Sequence, residues 1–503
     1  MIKIQLTYHL YHSWKTENAT SVIGTAFNNN ELLKETALLH NFQTITNEES
    51  FKEKLQQLDG HFSIVTETET SVFIAVDTIR TFPLFIYSTA ADILITDTIE
   101  PIYFTNETID VKEVENFCKV YCTLENKTLL KGWLQLQAGE YAVIDKQTAA
   151  LTIKPYFRHQ SALSTLSKEA LSKQLQQQEK KLIEKAIQYA DNRPILIPLS
   201  GGYDSRYLIA LLKEYKYPLV ECYTYGRKDS FEVLIAKNVC EKLHIKWHFI
   251  EYTDTLLQTF FTEKWNTYAA LNHHYSSLPH EQDFFALHYL KENNLLQENT
   301  VVMNGFCQDI HAGSFIEPVR NFDIQNFIGY KHQLKPELAA YENSWNGYQE
   351  WLIKNRLSKF IINSVRVYEY FGLDFYLPFW NTNWIQFWYA LPIEMRLNQQ
   401  YYNEYLLNGH FKKYHIDFKK PAAANSGKLY TMKKMGKTIL PERLTKLFQL
   451  QNNKDVSKDV NNTLFLYEEI YKRLKEKPAD KDFRINNIHA LYLMQNLKEK
   501  SQL

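Results

Sequence analysis

The hydrophobic and polar positions fall into two regimes. From Met1 to about Phe157 the apolar residues come in short runs such as Ser63-Ile64-Val65, Val72-Phe73-Ile74-Ala75-Val76 and Ile93-Leu94-Ile95, broken by polar turns. Side chains alternate between the two faces of a strand, so this pattern predicts a β-rich region. A polar stretch from Arg158 to Lys168 follows. From Leu171 to Tyr189 apolar positions then recur at helical spacing among Lys, Glu and Gln. A boundary near this stretch divides the chain into expected domains of residues 1–160 and 161–503.

Beyond the boundary, strand and helix patterns alternate. Ile195 to Leu199 reads as a buried strand, Leu208 to Leu212 as part of a helix, Leu219 to Tyr225 as a strand, Phe231 to Leu243 as a helix and Lys246 to Tyr252 as a third strand. This order favours a parallel sheet covered by helices. From about Leu256 onward the pattern is mainly helical, with one more strand expected at Val301-Val302-Met303. The expected class is therefore α/β and α+β in two domains.

Composition narrows the function classes. The 57 basic and 57 acidic side chains give a formal net charge of zero, which supplies no electrostatic argument for a nucleic acid or an anionic membrane as partner. No basic region leads into an apolar stretch at the start and no 18-residue apolar run occurs, so a cytoplasmic protein is expected. The five cysteines form no CxxC pair, and Cys118 and Cys122 read as packing residues on one helix face. His273, His274, His280, Glu281 and Asp283 fit no zinc spacing. Their loop, Ser276 to Asp283, is expected to face the acceptor cleft.

Chemistry concentrates at Leu199-Ser200-Gly201-Gly202-Tyr203-Asp204-Ser205, between the first strand and first helix of the second region. Paired glycines let backbone N–H groups approach phosphate oxygens, and the helix N-terminus adds partial positive charge. Asp204 beside phosphate makes sense if Mg²⁺ bridges the two. The bland alternative is a strand-to-helix turn in which Ser200 or Asp204 only caps the helix. No Walker motif Gly-x-x-x-x-Gly-Lys is present, which disfavours γ-phosphate transfer.

The loop resembles the pyrophosphate-binding (PP) loop of N-type ATP pyrophosphatases, and the likeness continues along the chain. Cys222 to Arg227 is similar to the second strand of asparagine synthetase-type enzymes. Asn304-Gly305-Phe306-Cys307-Gln308-Asp309 is similar to their Ser-Gly-Glu-Gly-x-Asp segment. Arg366, Glu369 and Gly372 to Trp380 resemble their Gly-x-Glu-x-Arg-x-Pro-Phe segment. In the first region, Leu58-Asp59-Gly60-His61-Phe62 and Asp77 to Tyr87 resemble the family's glutamine-hydrolysing domain.

The resemblance implies an N-terminal-nucleophile-type sandwich followed by a PP-loop domain with a helical extension. It implies ATP at Leu199, Ser200, Gly201, Gly202, Asp204, Ser205, Tyr225, Gly226 and Gly305, Mg²⁺ on Asp204 and Asp309, and catalytic roles for Arg366, Glu369 and Asp374. One lysine among Lys412, Lys413, Lys419, Lys420 and Lys428 is expected to neutralise charge beside the departing AMP. The reaction implied is amide formation through an acyl-adenylate.

Three departures change the expectation. Phe306 and Ile310 stand where the family has carboxylates, and Asp374 replaces a glutamate, which weakens aspartate as the acid. Ile2 stands where the family's nucleophilic cysteine would be, so no glutaminase activity is expected. The first region then serves folding and homodimer contacts. The sequence looks most like relatives in surface-polysaccharide synthesis, where a sugar-linked or other small carboxylate meets ammonia or a substrate amine. Intramolecular closure, as in β-lactam synthetases and lasso-peptide cyclases, is a second reading, and a non-catalytic ATP-binding scaffold a third. Loss of water without uptake of an amine separates the second from the first.

Overall fold

Apolar alternation on both faces of its strands drives the first region into two sheets. In a computed structural model that describes residues 1–89, 92–105, 107–319, 321–418, 459–477 and 485–500, this region contains β1 (Ile2–Gln5), β2 (Lys15–Glu17), β3 (Thr20–Asn28), β4 (Glu31–Lys34), β5 (Leu58–Glu67), β6 (Ser71–Val76), β7 (Phe85–Ser88), β8 (Ile93–Thr96), β9 (Trp133–Gln135), β10 (Glu140–Asp145) and β11 (Leu151–Pro155). One sheet has the order β1-β8-β7-β9. The other runs β11-β10-β6-β5-β3-β2, with β4 also paired to β3.

Strand β6 shows why the sheets stack. Val72, Ile74 and Val76 point to one face and pack with Leu84, Ile86, Ile93 and Ile95 of the smaller sheet. Phe73 and Ala75 point the other way, toward helices Glu35–Phe42 and Glu48–Gln56. A strand covered on both faces reads as a continuous apolar run rather than an alternating one. The outer face of the smaller sheet carries Phe85 and Trp133 against Phe117 of helix Val111–Val120 and Met494 of helix Ile485–Lys500. The layers are therefore helix, sheet, sheet, helix.

The third sheet is parallel throughout, in the order β14-β13-β12-β15-β16. Its strands are β12 (Ile195–Pro198), β13 (Val220–Gly226), β14 (Lys246–Glu251), β15 (Val301–Met303) and β16 (Asp374–Tyr376). Helix Lys168–Ala190 begins where Ser167 Oγ accepts from the Ala170 N–H, and ends on Asp191 in the left-handed conformation. It buries Leu171, Leu175, Leu182, Ile183 and Ala186 against helix Tyr203–Glu214 and the sheet. Strand β16 was not foreseen, because three residues with a charged first member carry no periodicity. The Cys118 and Cys122 expectation is also corrected: the helix ends at Val120 and Tyr121 turns left-handed, which puts Cys122 outside it.

The two regions share a core. Ile23, Ile79 and Phe82 pack in one cluster with Leu196, Tyr223, Val302 and Phe375. Polar contacts reinforce it. Asp59 binds Lys185 Nζ at 2.9 Å, the Thr382 N–H at 3.0 Å and the Asn381 carboxamide. The fully buried Lys359 gives its ammonium to the carbonyls of Thr123 (2.9 Å) and Glu125 (2.6 Å) from a π-helical stretch, Ile353–Ile361.

A clasp of hydrogen bonds joins Tyr8 and His12 to helix Asn363–Tyr370. Tyr8 Oη lies 2.7 Å from Glu369 Oε2, His12 Nδ1 lies 2.9 Å from Glu369 Oε1, and Arg366 binds both Tyr8 and Glu369. Burial alone would lower the His12 pKa, but Glu369, with help from Asp374, outweighs it and raises the value. Burial would likewise raise Glu369, yet Arg366 and then His12 hold it below the usual range.

A histidine whose pKa is higher folded than unfolded stabilises the fold fully below the unfolded value of about 6.5. That contribution is lost as pH rises through the folded value. Glu369 has the opposite sign: its contribution is present above the ordinary glutamate value of about 4.3 and is lost on acidification. Urea unfolding of the wild type and His12→Gln should therefore show a larger stability gap at pH 6 than at pH 9. An equal gap at the two pH values would contradict a charged His12 in the clasp.

Candidate active site

A parallel sheet whose connections diverge from one strand leaves a crevice at its carboxyl ends. Here the order reverses at β12, with β13 on one side and β15 on the other. The loops after β12 and β15 form the walls of that crevice, and they are Ser200 to Ser205 and Asn304 to Asp309.

The first wall is pinned to β13. The Leu199 N–H donates to the Tyr223 carbonyl at 2.8 Å, and Thr224 Oγ1 donates to the Leu199 carbonyl at 2.7 Å. Gly202 is the N-cap of helix Tyr203–Glu214, with no side chain filling the helix end. The Gly202 N–H meets Ser200 Oγ at 3.1 Å, and Ser205 Oγ accepts from the Ser200 N–H at 3.4 Å. Ser200 itself is exposed and Gly201 is backed by Glu232. Arg206, fully buried, donates to the Gly201 carbonyl at 3.0 Å and to the carbonyls of Ile416 and Phe418. This arginine fixes the floor of the loop.

The second wall approaches very closely. A Cβ on Gly305 would lie 2.6 Å from Asp204 Cβ and 2.8 Å from the Ser205 nitrogen. The approach sets the Asp309 N–H 3.0 Å from Asp204 Oδ2, while Tyr402 Oη donates to Asp204 Oδ1 at 2.8 Å. The two carboxylates expected to share a metal therefore come from adjacent backbone. Mg²⁺ characteristically takes one or two carboxylates and completes its shell with substrate phosphate and water, and this donor pair fits that habit. Among the described residues no group of three or more His, Cys, Asp or Glu gathers to hold a metal by itself.

Tyr225 and Gly226 end β13 on the same edge. Tyr225 stacks on Tyr252 with 4.9 Å between centroids. Gly226 has φ +124°, and a Cβ there would lie 2.5 Å from the Val460 carbonyl. Residues 459–462 thus close over this strand end, and the Arg227 N–H bonds the Val460 carbonyl at 2.8 Å. Of the nine residues expected to bind ATP, seven lie on strand ends or the loops after them, and Asp204 and Ser205 lie in the first turn of the helix that follows.

Arg366, Glu369 and Asp374 lie elsewhere. Asp374 begins β16 and pairs in register with Val301, the first residue of β15, so it sits at the amino ends of the strands. It binds Arg193 at 2.7 Å and Tyr189 Oη at 2.9 Å, and His12 Nε2 is 3.4 Å away. The three residues are brought together with one another, in the clasp around His12, and not to the Ser200 to Ser205 loop. The loop Ser276 to Asp283, expected to face the cleft, is largely buried: Ser277 Oγ bonds the Lys359 carbonyl, and Asp283 accepts from Tyr223 Oη at 2.5 Å. Lys413 pairs with Glu214 at 2.7 Å and Lys412 is exposed, while Lys419, Lys420 and Lys428 lie outside the described residues.

Residues 180–263 match the asparagine synthase family. The match takes in the Ser200 to Ser205 loop and the Tyr225-Gly226 strand end, and stops before Asp309. Solved structures similar to this chain include a glutamine phosphoribosylpyrophosphate amidotransferase from B. subtilis complexed with ADP and GMP, at 11% identity and a TM-score of 0.19, over 48% of this chain and 72% of that one. A structure described as the allosteric regulatory enzyme of purine biosynthesis is similar at 11% identity and a TM-score of 0.18, over 47% of this chain and 70% of that one. No curated protein matches the chain.

Tyr402 and Arg206 are contributions to this site that sequence reasoning missed. Arg206 stands directly after the loop, and a buried cation one turn into a helix could have been suspected from its apolar neighbours. Tyr402 left no signal, since it lies 198 residues from its partner. Gly305→Ala tests the contact between the walls. The added methyl must push Asp204 aside, and unfolding stability should fall by roughly 1–3 kcal/mol, as in overpacked cores. A variant as stable as the wild type would show that the walls have room to spare.

Proposed function

We propose that this chain joins a carboxylate to an amine at the expense of ATP, through an acyl-adenylate. The observation that carries the reading is the meeting of a glycine-rich loop at a helix N-terminus with the carboxylates of Asp204 and Asp309, at the crevice between β12 and β15. The asparagine synthase match over residues 180–263 supports the same reaction class, carbon–nitrogen ligation.

In this reading the β- and γ-phosphates rest on the N–H groups and hydroxyls of Ser200 to Ser205, where the helix end favours anions. Mg²⁺ held by Asp204 and Asp309 supplies neutralisation of polyphosphate charge. A substrate carboxylate oxygen attacks the α-phosphorus, and the bond to the β-phosphate oxygen breaks with its electron pair leaving on pyrophosphate. The amine nitrogen then attacks the acyl carbon, AMP leaves, and the nitrogen gives up a proton. Positioning of the two reactants contributes most of the acceleration.

Two features shape the substrate. Phe306 and Ile310 are buried, and Phe306 packs on Trp380 at 5.7 Å. They leave no counter-charge for an α-ammonium group, which favours an acid without one, such as a uronic acid or another sugar-linked carboxylate of a surface polysaccharide. Ile2 lies in β1, paired with Ile93, and packs on the sandwich core. An alkyl side chain there attacks no glutamine, so the nitrogen arrives as ammonia or as a substrate amine. Arg366, Glu369 and Asp374 act in this reading through the clasp, by holding the sheet's amino ends.

A pyrophosphate-release screen over uronic acids, sugar-linked amino acids and peptide acids, with and without ammonium, tests the reading. An active acid should lose roughly 100-fold or more in rate with Asp204→Asn, the scale of removing a charge-stabilising group. Full activity in that variant removes the metal role of Asp204. ATP binding without pyrophosphate release for any acid overturns the synthetase reading.

A further inference from the structure

Asn304 opens the second wall of the crevice, and its carboxamide is held at both ends. The Phe306 N–H lies 3.1 Å from Asn304 Oδ1, and Asn304 Nδ2 lies 3.1 Å from Tyr368 Oη. A backbone N–H can only donate, so the atom facing Phe306 must be the carbonyl oxygen, and the amide has one orientation. One Nδ2 hydrogen goes to Tyr368. The other has no partner among the described residues, and Asn304 keeps part of its surface exposed beside Gly305, where the two walls touch.

Behind Asn304 the contacts continue in one direction. Tyr368 is buried and hydrogen-bonds the hydroxyl of Tyr223, itself buried in β13. Tyr223 Oη donates to Asp283 Oδ1 at 2.5 Å, and His280 Nε2 meets Asp283 Oδ2 at 3.0 Å. Each hydroxyl has one hydrogen to give. Tyr223 spends its own on the carboxylate, so it accepts from Tyr368, and Tyr368 accepts from Asn304. Burial and then Asp283 raise the Tyr368 pKa well above the ordinary tyrosine value, so this hydroxyl keeps the hydrogen the order requires. Hydrogen bonds in such a series strengthen one another. Tyr223 and His280 already occupy both oxygens of Asp283. Tyr368 and Asn304 carry the series on to the crevice.

We propose that Asn304 binds a phosphate oxygen of the nucleotide through its second Nδ2 hydrogen, and that Tyr368, Tyr223 and Asp283 are positioning residues that hold the amide at the angle this contact needs. The inference rests on the nucleotide reading of the crevice given above. An amide N–H bonded to phosphate is charge-assisted. Fixing the amide in advance spares the ordering cost that a rotating side chain would incur on binding.

Titration calorimetry of the full chain with ATP and Mg²⁺ tests this. Asn304→Ala should weaken ATP binding about tenfold, the scale of one hydrogen bond to a charged group. Asn304→Asp keeps the shape and an oxygen toward Phe306 but turns a carboxylate on the phosphate, and should bind ATP more weakly than Asn304→Ala. Tyr368→Phe should weaken binding severalfold on its own and not at all in the Asn304→Ala background, because a positioning residue has no effect once the group it positions is gone. Effects of Tyr368→Phe and Asn304→Ala that multiply, or an Asn304→Asp variant that binds ATP like the wild type, overturn the proposal. If Tyr368→Phe does not fold, the ranking of wild type, Asn304→Ala and Asn304→Asp decides alone. A wild type that fails to bind ATP strikes the nucleotide reading itself, whereas wild-type binding with no change among the Asn304 variants strikes this inference only.

Discussion

Parallel strands that diverge from β12 bring two loops together at their carboxyl ends, and the candidate site depends on how closely those loops approach. At the contact, Gly305 leaves no room for a side-chain atom beside Asp204 and Ser205. Only at that separation does the Asp309 N–H reach the Asp204 carboxylate and place the two acidic groups on neighbouring backbone. The approach is supported from below by Arg206, which ties the Gly201 carbonyl to the chain at Ile416 and Phe418. A charge buried under the Ser200 to Ser205 loop is costly to strand, but three carbonyl partners and the faces of Tyr203 and Phe411 surround this guanidinium. The ionic group beneath the loop is therefore structural.

The other end of the same sheet has a different electrostatic problem. Glu369 and Arg366 are both fully buried, and moving such a pair from water costs more than its mutual attraction returns unless further hydrogen bonds satisfy it. Tyr8 and His12 provide those bonds from the far side of the interface. Asp374, one strand start away, is satisfied by Arg193, Tyr189 and the Phe375 N–H. An arrangement of this kind contributes little net stability. It penalises every alternative docking of the two regions, because each misplacement leaves a charge buried without its partner. The clasp thus selects one geometry out of an interface whose apolar part, from Ile23 and Phe82 to Phe375, is less directional.

These two ends explain what was legible in the sequence. Strands β12 to β15, the helices between them and the long helix before β12 announce themselves by period and by capping residues. The loop Ser200 to Ser205 announces itself by composition. Chain order does not say at which end of a strand a residue will lie. Asp374 sits in the motif most like a catalytic segment, yet it begins a three-residue strand, and the parallel register with Val301 carries it to the amino edge. Tyr8, His12 and Tyr402 were invisible for a related reason. Each meets its partner across hundreds of residues, and nothing local in a tyrosine or histidine says which carboxylate it will satisfy. Burial of Phe306 and Ile310 was foreseeable as hydrophobicity; their place beside the crevice became meaningful only once Asp309 was located.

The first region raises the question of why a sandwich carrying an isoleucine where a nucleophile was sought should be retained. Its contacts supply a physical answer. Ile23, Ile79 and Phe82 complete a core that also covers the parallel sheet, Asp59 satisfies Lys185 and the Asn381–Thr382 turn, and Tyr8 with His12 satisfies Glu369. Removing the sandwich would expose apolar surface on the sheet's own helices, leave Lys185 and Lys359 without Asp59 and the Thr123 and Glu125 carbonyls, and leave Glu369 with Arg366 but without Tyr8 and His12. Each loss alone is large for a fold of ordinary marginal stability. Selection for the crevice at one end of the sheet therefore also maintains the sandwich at the other, whether or not the sandwich performs any chemistry.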